Sequence, residues 1–173
     1  MRLDTERLIL RPFEPGDAED IHAVYSDPSV FEYLGSSPAA SIEETMELIE
    51  LTVRRANEQG FALGSVVERA SGRVIGDCGL QRLEGGPDVE LGYRFGSSFW
   101  GRGFATEAGA AWLDYGFRAR GLERIVAVTR PANVASRRVM EKLGMTLVGP
   151  GHHYGADTVV YELTRAEFEA QAG

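Results

Sequence analysis

The chain has a single cysteine, Cys78, among its 173 residues, which excludes an internal disulfide and any zinc site built from several cysteines. No apolar run approaches the ~20 residues that a membrane-spanning helix needs, and the opening MRLDTERLIL lacks the shape of a signal peptide. We therefore expect a cytoplasmic protein. Basic residues are also scarce, because 18 Lys and Arg stand against 26 Asp and Glu, for a net charge of −8. This balance disfavours nucleic-acid binding, and it fits either a cationic substrate or simple solubility.

Several motifs of known chemistry are missing as well. The glycines at 101 and 103 do not form G-x-G-x-x-G, since Thr106 stands where the last glycine would be. There is no G-x-x-x-x-G-K-[ST] and no G-x-S-x-G, which disfavours P-loop enzymes and most serine hydrolases. The carboxylates and the histidines show no zinc-type spacing, so no metal site is predicted. The histidines are His22, His152 and His153.

Residues 89–110, VELGYRFGSSFWGRGFATEAGA, carry the strongest local pattern that is present. Apolar residues alternate over 89–95, which is typical of a strand with one packed face. A loop of small residues follows, and helix-forming residues begin near Thr106. A glycine loop that leads into a helix binds anions, because the first helical N–H groups lack partners and carry the positive end of the dipole. A cofactor that bears phosphate is the first hypothesis.

Hydrophobic periodicity predicts one α/β (α+β) domain over residues 1–173, with a mixed, mostly antiparallel sheet of seven strands and helices on both faces. The element order is β-α-α-β-β-β-α-β-α-β-β, with a short helical turn near 30–34 and a polar loop at 149–157. The predicted strands cover 6–13, 61–68, 73–80, 89–95, 124–129, 145–148 and 158–163. The predicted helices cover 17–25, 41–57, 106–120 and 134–143.

Three stretches together resemble the GNAT superfamily of acyl-CoA-dependent N-acetyltransferases. Its loop pattern [QR]-x-x-G-x-[GA] is matched at Gly103 and Ala105, while Trp100 departs from it at the first position. The opening T-E-R-L-x-L-R-P at 5–12 is similar to that of the RimJ/RimL branch, the ribosomal-protein N-terminal acetylases. A downstream pattern, N-x-x-S…E-K-x-G-[FM], is matched at Asn133, Ser136, Glu141, Lys142 and Gly144. The resemblance covers nearly the whole chain and implies a GNAT-like fold.

The resemblance implies acetyl-CoA as the cofactor. Its pantetheine arm would bond a strand edge near Phe95, where strands 89–95 and 124–129 separate, and Asn133 would both cap a helix and bond the cofactor. Arg102 would pair with a phosphate or remain a solvated surface residue. The pyrophosphate would rest on the loop amides. These belong to Arg102, Gly103, Phe104, Ala105 and Thr106.

Acetyl transfer to an amine needs a base, and it needs a proton for the leaving thiolate. The resemblance gives Glu90 as the candidate base, acting directly or through a water, because the family often places an acidic residue on this strand; a structural ion pair to Arg94 is the alternative. The resemblance gives Ser136 as the proton donor, with a hydroxyl that only satisfies helix backbone as the alternative. Tyr161 is a second candidate acid, or else a core tyrosine.

His152 and Tyr154 are the candidate acceptor-binding residues, with a solvated loop as the alternative. The expected acceptor is a protein or peptide N-terminal amine, by resemblance, or a small amine, attacked without an acyl-enzyme. Two other functions stay open: a non-catalytic acyl-CoA-binding or sensing module, and an interaction protein that uses the fold as a scaffold. Neither nucleic acid nor membrane is an expected partner, and exposed strand edges allow a homodimer.

Overall fold

One eight-stranded sheet runs through the computed structural model, which describes residues 1–172. The strand order is β1-β2-β3-β4-β5-β6-β8-β7. All neighbours are antiparallel except β5 and β6, which are parallel. The strands are β1 (Leu3–Asp4), β2 (Leu8–Arg11), β3 (Leu63–Glu68), β4 (Val74–Arg82), β5 (Val89–Phe95), β6 (Arg124–Thr129), β7 (Thr146–His153) and β8 (Ala156–Thr164).

Six α-helices complete the described part of the chain. They are α1 (Ala18–Tyr25), α2 (Pro28–Phe31), α3 (Ile42–Gln59), α4 (Phe104–Asp114), α5 (Val134–Lys142) and α6 (Arg165–Ala172). The helix α4 continues as a π-helical turn over Tyr115–Ala119. Within residues 1–172, no helix combines the length and the apolar composition needed to cross a bilayer.

Each face of the sheet packs its own core. On one face α4 and α5 contribute Trp112 and Met140, which pack with strand residues such as Leu80. On the other face α1 and α3 contribute Ile21 and Ile49 to a second cluster. Burial of these apolar side chains is the main favourable term that holds the layers together. The predicted mixed α/β fold, with a mostly antiparallel sheet and helices on both faces, is confirmed.

The structure adds elements that the periodicity did not predict. The sheet has eight strands rather than seven, because β1 pairs Leu3 with Leu10, and two residues are too short to leave a pattern. The helix α6 presents only one large apolar side chain, Phe168, which stacks on Phe117 with ring centroids 4.8 Å apart. The helix α4 begins at Phe104, two residues before the predicted start. Tertiary contacts account for β1 and α6, and local backbone geometry sets the start of α4.

The prediction of a loop at 149–157 is wrong. Pairing between β7 and β8 continues to His153 opposite Ala156, so only Tyr154 and Gly155 connect the strands. A register shift between Leu147 and Gly149 absorbs an extra residue in this hairpin. Pro150 is tolerated because β7 is an edge strand of the sheet.

Candidate functional site

The parallel strands β5 and β6 diverge toward their carboxyl ends. Their registered pairing is limited to Glu90 opposite Val126. On the other side of β5 the Gly96 N–H donates to the Ile75 carbonyl oxygen at 3.0 Å. Peptide groups alternate in direction along a strand, so those of Tyr93 face away from β4, toward β6. The gap between residues 91–95 and 127–129, here called the β5–β6 wedge, therefore presents a strand edge that an extended chain can bond.

Trp100 partly closes the carboxyl end of this edge. Its indole N–H donates to the Phe95 carbonyl oxygen at 2.7 Å, while the residue stays 51% exposed. The Phe95 side chain is buried in the core. The edge predicted near Phe95 is present, but its last carbonyl already has a partner within the protein. Sequence reasoning treated Trp100 only as a departure from the loop pattern, and so missed this contact.

The loop before α4 has the backbone of an anion-binding turn. Gly101 and Gly103 adopt positive φ values of 73° and 81°, and Gly103 is the N-cap of α4. Residues with a Cβ disfavour this left-handed region, whereas glycine adopts it readily, which explains glycine at both positions. The first amides of α4, those of Phe104, Ala105 and Thr106, have no acceptor within the helix. They and the positive end of the helix dipole would stabilise an anion at this loop, which follows the carboxyl end of β5.

Two arginines lie beside this loop and are engaged by other side chains. The Arg102 guanidinium donates to Glu68 at 2.8 Å and lies 4.6 Å over the Phe104 ring. Arg7 lies 4.7 Å over the same ring, and it bonds Glu107 at 2.6 Å and the Arg102 carbonyl at 2.9 Å. Arg102 is thus an ion-paired residue on the loop rather than a freely solvated one. Sequence reasoning missed Arg7, although it lies in the opening stretch that resembles the RimJ/RimL branch.

The start of α5 brings Ser136 to β5. The Asn133 side chain accepts the Ser136 N–H at 3.1 Å, which makes Asn133 the helix cap. The Ser136 and Tyr93 hydroxyl oxygens lie 2.9 Å apart, and burial raises the pKa of Tyr93. The Ser136 hydroxyl therefore does more than satisfy helix backbone. Tyr93 was missed because alternation alone marks it as a core residue of β5.

Tyr161 is held on the α5 side of β8. Its hydroxyl donates to Glu141 at 3.0 Å and accepts from the Arg137 guanidinium at 3.1 Å, and the residue is 1% exposed. Both bonding capacities of the hydroxyl are thus used within the protein. This arrangement favours a core tyrosine over a proton donor.

Glu90 is a buried carboxylate on the opposite face of β5. One of its oxygens accepts the Gln81 side-chain amide at 2.7 Å and also the Tyr154 hydroxyl. Burial raises the pKa of Glu90, although these two bonds act to lower it. The residue is 4% exposed, so the carboxylate lies in a largely water-excluded setting.

The ion pair between Glu90 and Arg94, which the sequence left open, is not formed. Arg94 donates its Nε–H to Asp77 at 3.0 Å and a second N–H to the Tyr25 hydroxyl at 2.9 Å. Asp77 is fully buried on β4, directly opposite Arg94 in the strand register. The guanidinium of Arg94 therefore pairs with a residue on the neighbouring strand. The pattern of residues along one strand cannot predict such a cross-strand pair.

The two adjacent histidines of β7 have different partners. His152 contacts Asp157 at 3.1 Å, and its side chain is 66% exposed. His153 contacts Glu84 at 3.0 Å, and Glu84 also accepts the N–H of Tyr154 at 2.7 Å. Successive side chains of a strand point to opposite faces, so only one histidine can reach the group around Glu90. Tyr154 contacts Glu90, His153 contacts Glu84 and His152 contacts Asp157. The acceptor-binding role of His152 and Tyr154 stays a prediction.

The resemblance to the GNAT superfamily implies two strands that separate beside the start of a helix, and β5, β6 and α4 are the elements at those positions. Comparison with known proteins defines the class more closely. Residues 7–146 match the acetyltransferase (GNAT) domain. The chain therefore belongs to the GNAT family of acetyltransferases, which uses acetyl-CoA. Its predicted assignment as an acyltransferase enzyme is confirmed.

Individual relatives agree with this family assignment. The uncharacterized N-acetyltransferase p20 of Bacillus licheniformis is 34% identical, over 85% of this chain and 83% of its own length. The uncharacterized N-acetyltransferase YoaA of Bacillus subtilis is 33% identical, over 94% of this chain and 96% of its own length. A crystal structure of a GNAT-family acetyltransferase from Bacillus anthracis is 28% identical and superposes with a TM-score of 0.84, over 96% of this chain and 99% of the other.

Proposed function

We propose that the protein moves an acetyl group from acetyl-CoA to a primary amine, by direct attack and without an acyl-enzyme. One observation carries this proposal: Glu90, a buried carboxylate, occupies the one registered pair between β5 and β6. This carboxylate lies at the inner end of the β5–β6 wedge, and its proposed role is that of the base. The sequence contains no nucleophile motif with a paired histidine, which supports direct attack.

The groups around the wedge fit acetyl-CoA, which when bound would supply a reactive thioester. Amides of residues 102–106 would hold the pyrophosphate at the start of α4, and Asn133 would bond the cofactor from the start of α5. The strand edge at Tyr93 and Phe95 would bond the pantetheine amides, with the Trp100 indole released from the Phe95 carbonyl or bonded beside them. The left-handed φ of Gly103 supports this assignment, because it lets the loop amides converge.

Each chemical task has a candidate residue. Glu90 would take the proton of the amine, directly or through a water, and its raised pKa brings it closer to the neutral range in which a base works best. Gln81 and Tyr154 would hold that carboxylate in place. Ser136, which is hydrogen-bonded to Tyr93, would donate a proton to the leaving thiolate and regain one from solvent, while Glu90 releases the amine proton to solvent.

For the acceptor, we propose a peptide N-terminal amine and assignment to the RimJ/RimL branch, both on the resemblance of residues 5–12 and of the two motifs. A small amine is the alternative. A relative that is 25% identical, from Escherichia coli, is named spermidine N(1)-acetyltransferase. The acidic charge of −8 is compatible with a cationic acceptor of either kind. We further propose that residues 1–173 act as one cytoplasmic domain.

Thiol release from acetyl-CoA tests the proposal. The panel holds peptides with free N-termini, the same peptides N-acetylated, spermidine and simple amines. We expect release with the free N-termini and none with their acetylated counterparts. Release with spermidine alone would replace the peptide acceptor by a small amine. An acetylated side chain trapped on the protein during turnover would contradict direct attack.

A second candidate is an acyl-CoA-binding module that has lost turnover. One observation favours it: the Tyr154 hydroxyl already donates a hydrogen bond to the Glu90 carboxylate, which an amine would have to reach. Both candidates predict that acetyl-CoA raises the melting temperature, because a ligand that binds the native state stabilises it. No thiol release with any member of the panel, together with a higher melting temperature in acetyl-CoA, would establish the binding module. Absence of any rise would point instead to an interaction scaffold.

A further inference from the structure

Two residues in the described chain adopt positive φ without being glycine, and they contact each other. Glu84 has φ 49° and Tyr154 has φ 54°. Such residues cost free energy, and surrounding contacts must hold them. Glu84 follows β4, whereas Tyr154 begins the connection from β7 to β8. Two distant segments therefore meet at a pair of strained positions.

The Glu84 carboxylate bonds this connection with both of its oxygens. One accepts the Tyr154 N–H at 2.7 Å, and the other contacts the His153 ring at 3.0 Å. On another side the connection lies against the backbone of Gly35, where an added Cβ would stand 2.3 Å from the Tyr154 carbonyl oxygen. Residues 153–156, here called the β7–β8 turn, are thus fixed between Glu84 and Gly35.

The strand register shows that the hairpin has to bend to reach this position. Val126 is opposite both Glu90 and Glu162, so a flat sheet would put Glu162 level with Glu90. Tyr154 lies eight residues from Glu162, which in a flat sheet is about 26 Å away along the strand. Its hydroxyl nevertheless contacts Glu90. The hairpin therefore bends across the face of the sheet, and its concave side is tight at Gly151, where a Cβ would lie 2.8 Å from Val160.

The bent hairpin covers the candidate base. Without the turn, Glu90 would lose the Tyr154 hydroxyl and would retain only Gln81 of its two side-chain hydrogen-bond partners. Glu84 touches neither Glu90 nor the β5–β6 wedge through any hydrogen bond among the described residues. Besides burial, the negative charge of Glu84 acts directly to raise the pKa of Glu90. The hydrogen bonds of Glu84, by contrast, can affect Glu90 only through the turn, and Glu84→Gln removes the charge while it keeps an acceptor.

We propose that Glu84 is a positioning residue of the acceptor half of the site, which holds the β7–β8 turn closed over Glu90. The amine then reaches Glu90 in a pocket whose wall is the Tyr154 ring, after it displaces the Tyr154 hydroxyl. This inference rests on the proposed function, in which Glu90 is the base. It assigns to Glu84 and His153 the task of setting the acceptor pocket.

Carbodiimide labelling of Glu90, read by mass spectrometry, tests the closure without any need for turnover. In Glu84→Ala we expect labelling of Glu90 and hydrogen exchange of the Tyr154 amide to be about tenfold faster, since a lost hydrogen bond to a charged group shifts the opening equilibrium by that order. Glu84→Gln keeps an acceptor for the Tyr154 N–H and should stay within about threefold of wild type. Unchanged rates in Glu84→Ala would overturn the proposal.

Asp157→Asn is the matched control, because it removes the carboxylate that pairs with the other histidine of the same hairpin. We expect wild-type labelling of Glu90 in this variant. Equal acceleration in Asp157→Asn and Glu84→Ala would mean general loosening of the hairpin, and would overturn a specific role for Glu84.

Kinetics then separate positioning from folding. In Glu84→Ala, kcat/KM for the acceptor should fall about tenfold, in step with the loss of closure, while KM for acetyl-CoA stays within about twofold. Rescue by Glu84→Gln is expected. A matching change in KM for acetyl-CoA would contradict an acceptor-side role. Absence of thiol release from wild type would overturn the proposed function alone, because labelling decides the closure by itself.

Discussion

The proposed cofactor half and the proposed acceptor half of the candidate site consist of different chemical groups. The cofactor half consists mainly of peptide groups, from the edge of β5 and from residues 96–106. The acceptor half consists of side chains gathered from distant segments, and Tyr154 lies 64 residues from the Glu90 that it contacts. Every residue supplies peptide groups, and the backbone conformation decides where these groups point. The cofactor half therefore depends on the φ values that the glycines allow. The second half depends on how the hairpin folds over the sheet.

This difference predicts where substitutions act. Changes in the loop should alter the binding of acetyl-CoA and leave acceptor preference alone. Changes around Glu90 should alter rate and acceptor use, with little effect on the cofactor. The following predictions test that separation, from the largest expected effect to the smallest.

Glu90→Gln should give the largest loss, with kcat lowered about 100-fold near neutral pH, as expected for removal of a general base. The loss should shrink at high pH, because hydroxide then deprotonates the amine unaided. Measured kcat/KM between pH 5.5 and 9 checks this. Glu162→Gln is a control, since Glu162 pairs with Arg124 instead. A wild-type-like profile in Glu90→Gln would remove Glu90 from the mechanism.

Gly103→Val should raise KM for acetyl-CoA about tenfold, because a side chain in the left-handed region costs about 1–2 kcal/mol and displaces the loop amides. The acceptor KM should not change. Gly72→Val is the control, since Gly72 has φ 69° in the turn between β3 and β4 with open space around it. It should lose stability without a change in either KM. Equal kinetic effects in the two variants would refute a cofactor role for the loop.

Ser136→Ala and Tyr93→Phe should each lower kcat about fivefold, as expected for partial loss of a proton donor. Because the two hydroxyls share a hydrogen bond, the double variant should cost less than the product of the single effects. A double-mutant cycle on kcat measures this coupling. Strict additivity would show that the hydroxyls do not act together.

The smallest expected effect is on stability. Burial raises the pKa of Glu90 in the native state, so the native protein holds this proton more strongly than the unfolded chain does. Stability from this group is then present below its ordinary pKa and is lost as pH rises through the raised value. Glu90→Gln should therefore have a Tm about 3 °C above wild type at pH 8, and a smaller difference at pH 4.

Glu107→Gln is the control of opposite sign. Burial alone would raise the pKa of Glu107, but hydrogen bonds from Thr5 and Arg7 outweigh it and lower the pKa. Its stability contribution is present above the ordinary pKa and is lost as pH falls through the lowered value. The Tm of Glu107→Gln relative to wild type should therefore fall as pH rises. The same trend in both variants would contradict the assignment for Glu90.

Much of the fold could be predicted because its signals are local. Alternation over β5, the capping residue Ser41 before α3 and the glycines before α4 each lie within a short window. The elements that the sequence did not predict lack such a local signal. The strand β1 has two residues, and α6 is anchored by the stacking of Phe168 on Phe117. The hairpin at 149–157 was misread because glycine and proline usually mark loops, whereas here they occupy an edge strand with a bulge.

The sequence by itself determined the family and predicted the cofactor half, since a contiguous glycine loop and helix start carry both the motif and the amides that we propose to hold the pyrophosphate. Only the tertiary structure decided the acceptor half. Arg94 pairs with Asp77 across the sheet, Glu90 accepts from Gln81 and Tyr154, and His153 rather than His152 contacts Glu84. The physical reason is that strand register and hairpin bending fix which side chains share a face, and neither is encoded within a single stretch of sequence.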